Sequence, residues 1–384
     1  MLGLRSNHLV AGDIAGYLAP LSRTAREVEG PIARSSRSVP LTKQQLVLDL
    51  NGFPAGTDAF SGLKVDLTYR YRGLETDNVF RIPFVYSVKR IAGSWKVTSS
   101  VLAPDASLPL WATGAVKTSM TKHFLAIYRP GLERVDETLE IAEQARERLG
   151  KKLTIPLEQK QLMLLARDRT DYLGTTTQLS PVSAIAQAET SYEVTERTIK
   201  VQSRQIVINL EQLYSNSLPS ETLQHELGHL ALARVTRPFT PSWVSESAAM
   251  FLADTKPLNL WRTGTRTRRF ASISFVDLNR LAALGQHDVT GDSASFEYAY
   301  AAAAAWYLTE TFGVPNYFEF YDSYSKVPAK SLFDRLPHSG GAAANDQAIL
   351  DLAVQTTARL LHASYGFEEN ELDRRVRTWI SQQT

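Results

Sequence analysis

ETLQHELGHLALARVTRPFTPSWVSESAAMFLAD, residues 221–254, reads as two helical patterns separated by a proline-rich turn. The first contains H-E-x-x-H at His225, Glu226 and His229. Residues four apart share a helix face, so both imidazoles can reach one point. Glu226 sits beside His225 and can hold a water without ligating an ion. Leu223, Leu227, Leu230 and Ala231 form an apolar opposite face that can anchor the helix in a core. Ser220 is the expected N-cap, and Glu221 suits the first turn. Pro238 and Pro241 end this helix and begin the next, which carries Trp243, Val244, Ser245 and Glu246. Sixteen residues lie between His229 and Glu246, enough for the second helix to fold back antiparallel and present its carboxylate to the same ion. Two His and one Glu leave the fourth tetrahedral position for water, as a catalytic zinc requires. In a chain with seven His, H-E-x-x-H arises by chance in roughly one sequence in a hundred. The blander reading has packed histidines and a solvated glutamate. It must account for pattern, helix, turn and second carboxylate together.

Working outward, the chain divides on this reading at residue 117. Residues 1–117 open with an amphipathic helix carrying Leu9, Ile14, Leu18 and Leu21, followed by a polar, Arg- and Ser-rich stretch through Arg37. Strand-like runs follow at 45–50, 63–71, 80–90 and 94–99. Val65, Leu67, Tyr69 and Tyr71 alternate and face one way. A helix followed by an antiparallel sheet is an α+β arrangement. Pro104, Pro109 and the segment to Ala115 read as a linker. Residues 118–384 then give strands at 123–128, 160–167, 184–188, 198–202 and 205–210, with a charged helix at 130–149. Helices are expected at 221–235, 242–254, 294–312, 315–324, 345–363 and 368–381. The result is a small sheet followed by a mostly helical part.

Composition narrows the chemistry. The chain has 384 residues, 43% of them hydrophobic, which supports two cores. There is no cysteine, so disulfides and thiolate zinc sites are excluded and any metal must be held by His and carboxylate. A net charge of +2 gives no support to nucleic-acid binding. The basic cluster Arg262, Arg266, Arg268 and Arg269 reads as a solvated face. His123 reads as a packed residue, while His8, His287, His338 and His362 lack partner spacing. Trp95, Trp111 and Trp379 read as core anchors. No stretch is apolar enough to span a bilayer, and the first residues lack the features of a signal peptide. The compartment stays open: secreted or surface-anchored if an export segment precedes this start, otherwise cytoplasmic.

The stretch from His225 onward resembles the gluzincin metallopeptidases, in particular the bacterial peptidase MA-like proteins. These follow HExxH with P-x-W-(L/V)-x-E-G-x-A-x-(Y/F). This chain has Pro241, Trp243, Val244, Glu246, Ala249 and Phe251 at those places. The resemblance covers about residues 118–384 and continues at Tyr298–Gly313 and Tyr365–Trp379. It implies a zincin-like domain with Zn2+ held by His225, His229 and Glu246. It also implies Glu226 as general base, and Tyr298, or less readily Tyr300, as a hydroxyl near the site. The activity implied is hydrolysis of peptide bonds in a peptide or protein substrate through a zinc-bound water. Residues 5–105, with GSWKVTS after a Gly turn, more loosely resemble an NTF2-like (cystatin-like) domain. Two positions depart from the peptidase pattern. The Gly after the third ligand is Ser247, and the acidic residue four positions after that ligand is Met250. These departures keep a second reading open: a catalytically degenerate, peptidase-shaped binding or scaffold protein.

Overall fold

A computed structural model describes residues 1–48, 57–75, 77–104, 106–153, 155–176, 185–257, 274–279, 292–336 and 342–383. The protein is mixed α and β with two small sheets, as an α+β reading requires. Its contacts divide it into two compact units. One comprises Met1–Glu140, Glu158–Glu189 and Gln202–Ser217; the other comprises Ile141–Leu157, Thr190–Val201 and Leu218–Thr384.

The first unit opens with three helices, α1 (Leu2–Val10), α2 (Ile14–Leu18) and α3 (Arg23–Ser35). The single opening helix expected from sequence is broken at Gly12, whose φ of 72° lies in the left-handed region. Asp13 then caps α2 by accepting from the Gly16 amide. The polar stretch before Arg37 is helical. Ser22 caps α3 by accepting from the Ala25 amide, and Ala25, Glu29, Ile32 and Ala33 form its buried face. Strands β1 (Leu41–Leu48), β2 (Ala59–Tyr71), β3 (Phe80–Ile91) and β4 (Ser94–Leu102) form an antiparallel sheet in that order. Val65, Leu67, Tyr69 and Tyr71 are all buried, as their alternation predicts. Residues 49–50 of the expected first strand lie outside the described residues.

The segment read as a linker is instead packed. Leu110–Ala112 forms a 3-10 turn in which Trp111 is fully buried and donates to the Tyr71 hydroxyl at 2.9 Å. Arg129 donates to the carbonyls of Leu110 and Ala115. The second sheet contains β5 (Lys117–Met120), β6 (Phe124–Tyr128), β7 (Gln161–Ala166), β8 (Ala186–Val194) and β9 (Ile199–Asn209), in the order β5-β6-β7-β9-β8. β6, β7 and β9 are mutually parallel, with β6 to β7 connected through α4 (Val135–Lys152). Two short strands expected at 198–202 and 205–210 are one continuous strand. Its polar middle is accommodated because buried Arg204 pairs with Glu158. Residue 184 of the expected 184–188 strand is outside the described residues.

After the short helices α5 (Arg169–Leu173) and α6 (Leu210–Asn216), the regular elements among the described residues include α7 (Pro219–Leu232), α8 (Ser242–Leu252), α9 (Phe275–Leu278), α10 (Asp292–Phe312), α11 (Val314–Ser323), α12 (Ala329–Phe333), α13 (Ala342–Tyr365) and α14 (Glu369–Gln383). Among the described residues, no helix is long and apolar enough to cross a membrane.

Arg5 and Glu29 form a fully buried ion pair in the first unit. Arg5 also donates to the Tyr17 carbonyl and the Tyr86 hydroxyl, and Glu29 accepts from the Tyr17 hydroxyl. Removing one partner strands a charge; removing both does not. Arg5→Met should therefore cost about 3–5 kcal/mol in urea unfolding. The Arg5→Met, Glu29→Met double variant should recover most of that loss, and a double variant as unstable as the single would contradict this account.

Candidate metal centre

α7 begins with Pro219 at its first turn after Leu218, so Ser220 is not the N-cap expected from sequence. Its hydroxyl instead accepts from Arg148 of α4 at 2.6 Å. Leu223, Leu227, Leu230 and Ala231 are buried, which fixes the rotation of the helix and aims His225 and His229 the other way. α8 starts after Pro241 and buries Trp243, Val244, Ala248 and Ala249. Gln224 donates to the Leu252 carbonyl at 2.6 Å, Gly228 faces Ala249, and His229 faces Glu246. As residue number rises along α7 it falls along α8, so the two helices are antiparallel.

Three donor atoms converge. His225 Nε2 lies 3.1 Å from His229 Nε2. Glu246 Oε2 lies 3.1 Å from the former and 3.4 Å from the latter. Among the described residues, these three are the group of His, Asp and Glu side chains able to hold a metal ion. Donors bound at about 2.0–2.2 Å to one tetrahedral ion stand roughly 3.3–3.5 Å apart, close to the observed triangle. The buried Glu246 Oε2 has no hydrogen-bond partner, although both imidazoles are near. An orphaned carboxylate oxygen beside two imidazole nitrogens is a donor set suited to a cation. The side chains of the three residues are 18–20% exposed, so the site is sheltered but open on one side.

The electrostatics reinforce this. Burial pulls the His229 imidazolium down, but Glu246 beside it and the charge of Glu226 outweigh burial and push it up to about 9. Burial pushes the Glu246 carboxyl up, but the charge of His229 and the contacts of both imidazoles hold it well below the usual carboxylate range. Glu226 is largely buried and acts on His229 through its charge.

Several residues that shape this site carry no signal in a linear reading. A Cβ on Gly228 would meet the Ala249 Cα at 3.4 Å and the Leu252 side chain at 3.5 Å, so a methyl would just fit between the helices and a larger side chain would not. Arg148 holds Gln224 at 2.6 Å. Trp243, one turn before Glu246, donates to Asn279 at 2.6 Å, and Asn279 donates to Glu369 at 3.0 Å. Ser247 is fully buried, donates to the Val244 carbonyl at 2.9 Å and lies 2.7 Å from the Tyr317 hydroxyl. Burial pushes the Tyr321 phenol up, and the nearby Glu246 charge adds to the effect.

Other singled-out residues have different partners. Tyr300 is buried, stacks on Phe275 and Phe296, and donates to Asp373 at 2.6 Å, which makes it a packing residue. Tyr298 is half-buried on α10. Met250 is buried, and Asp254 pairs with Lys152. His8 pairs with Asp13, and His123 is half-buried at the start of β6. Arg262, Arg266, Arg268, Arg269, His287 and His338 lie outside the described residues. A scan against protein-family models and a search of curated proteins return no match for the chain.

Two expectations follow. Gly228→Val places branched carbons against Ala249 and Leu252. It should cost about 1–3 kcal/mol of stability and weaken metal uptake measured by chelator competition; unchanged uptake would argue that helix approach does not set the site. The second concerns pH. His229, with its folded pKa raised from 6.5 to about 9, stabilises the chelator-treated protein fully below 6.5, and the effect is lost as pH rises through 9. Glu246, with its pKa depressed from 4.5, contributes above 4.5 and loses the effect as pH falls. The contribution of the pair is therefore complete between about pH 4.5 and 6.5. A cation must displace the His229 proton, so its apparent affinity should rise about tenfold per unit between pH 6 and 8. A flat profile would show that no proton leaves.

Proposed function

We propose that the protein is a zinc-dependent metallopeptidase whose His225, His229 and Glu246 hold the ion and whose Glu226 is the general base. The observation that carries this reading is the triangle of Nε2, Nε2 and Oε2 atoms with edges of 3.1–3.4 Å. Zinc is favoured over harder cations because two of the three donors are imidazole nitrogens. An ion so held would supply Lewis acidity toward a carbonyl oxygen and a bound water of lowered pKa.

The chain's own residues carry the rest of the chemistry. Three protein donors leave room for a water and a substrate oxygen. Glu226, next to His225 on the same helix and largely buried, takes the water proton on its carboxylate and passes it to the departing amine. The charge of Glu226 reaches His229, so the base and the ligands belong to one electrostatic unit. Tyr298 is proposed as the hydroxyl that steadies the oxyanion. Tyr300 is not, because its hydroxyl donates to Asp373. The resemblance to gluzincins across 118–384 and to NTF2-like domains across 5–105 supports an accessory domain followed by a peptidase domain. The substrate class is peptides or proteins.

The buried Ser247 and Met250 give the second reading its observation: neither offers the glycine or the acidic group of the peptidase pattern. On that reading the protein keeps the peptidase shape, with or without the metal, and serves as a binding or scaffold protein. Purified protein should contain close to one zinc per chain, and His225→Ala should lose it. Glu226→Gln should retain zinc while cleavage of a broad peptide library falls by about 10²–10⁴-fold. Full zinc occupancy with no cleavage by the wild type would favour the binding reading, and absence of zinc uptake would overturn the metallopeptidase reading.

A further inference from the structure

Tyr317 and Tyr321 lie one turn apart on α11, so both phenols leave the same face of that helix. Both side chains are essentially fully buried. The Tyr317 hydroxyl lies 2.7 Å from Ser247 Oγ, and Ser247 gives its own proton to the Val244 carbonyl. A serine hydroxyl has one proton, so Tyr317 is the donor. The Tyr321 hydroxyl lies 2.7 Å from Thr236 Oγ1, whose proton goes to the Leu232 carbonyl at 2.9 Å. Tyr321 is therefore also a donor. Ser247 directly follows Glu246 on α8, and Thr236 lies just beyond the C-terminal end of α7.

We propose that Tyr317 and Tyr321 are positioning residues that clamp the two ligand-bearing helices at a fixed separation, which rests on the metal-centre reading of His225, His229 and Glu246. The pair is tied at one end by Gln224, which donates to the Leu252 carbonyl. The other end is the loop at 233–241. α11 meets that end through Tyr317, at Ser247 of α8, and through Tyr321, at Thr236 in the loop just after α7. Donor atoms of a metal site must be held to within about 0.5 Å by residues packed and hydrogen-bonded around them. Ser247 thereby gains a role that the usual glycine at this position cannot play. It is the acceptor through which α11 holds the helix of the third ligand.

An internal control is available. Tyr324 is fully buried, and its hydroxyl lies 2.8 Å from Thr357 Oγ1, which donates to the Ala353 carbonyl. The chemistry is the same, but the partner is on α13 and not on a ligand helix. Tyr317→Phe, Tyr321→Phe, their combination and Tyr324→Phe are compared in the full chain. Zn2+ affinity is measured by chelator competition, the ligand field by the visible spectrum of the Co2+-loaded protein, and stability by melting the chelator-treated protein. The double variant should lose about 10–100-fold in Zn2+ affinity and show a shifted Co2+ spectrum. Tyr324→Phe should lower the melting temperature while leaving affinity within about twofold. An unchanged Co2+ spectrum with wild-type affinity in the double variant overturns the proposal. An equal affinity loss in Tyr324→Phe does so as well. A wild-type protein that takes up neither ion fails at the metal reading itself, and the clamp falls with it.

Discussion

Three donor atoms carried by two separate helices must meet at one point, and the approach of α7 to α8 decides whether they do. The spacing of His225 and His229 is intrinsic to a helix, because residues four apart stack on one face. The position of Glu246 has no such local cause. It depends on how α8 seats against α7, and Gly228 lies in that contact, facing Ala249 and Leu252. A methyl at 228 would make ordinary van der Waals contact there, whereas a branched side chain would press on both neighbours.

Close approach is then locked by buried polar contacts with definite geometry. Gln224 is held by Arg148 on one side and by the Leu252 carbonyl on the other. Trp243, Asn279 and Glu369 form a chain that leads from the turn before Glu246 to the start of α14. Apolar packing tolerates small shifts, whereas a buried donor without its acceptor costs about 1–3 kcal/mol. Polar ties of this kind specify one arrangement among several that would bury similar area. They are found here around the two helices that carry His225, His229 and Glu246.

The departures from the peptidase pattern acquire a structural meaning in this setting. Ser247 is satisfied on both sides and belongs to the scaffold that positions Glu246. Met250 contributes to the core of α8. Asp254, offset by one turn, is paired with Lys152 and so serves the end of α8.

Much of this was legible in the residues alone, and the reason is locality. The face of α7, the Pro-marked start of α8, and the buried alternation of Val65, Leu67, Tyr69 and Tyr71 follow from short-range periodicity. The same locality explains what could not be read. Helix α3 shows only a polar stretch in sequence because its buried side includes Glu29, which is acceptable only when Arg5 and Tyr17 arrive from elsewhere. The break in β9 vanishes because Glu158 pairs with Arg204. Trp111 turns a seeming linker into packed chain only once Tyr71 is opposite it. Residue types and short-range spacing suffice to name the side chains able to hold a cation and the helices that carry them. That Glu246 reaches the two imidazoles follows from packing between residues far apart in the chain, which no local pattern encodes.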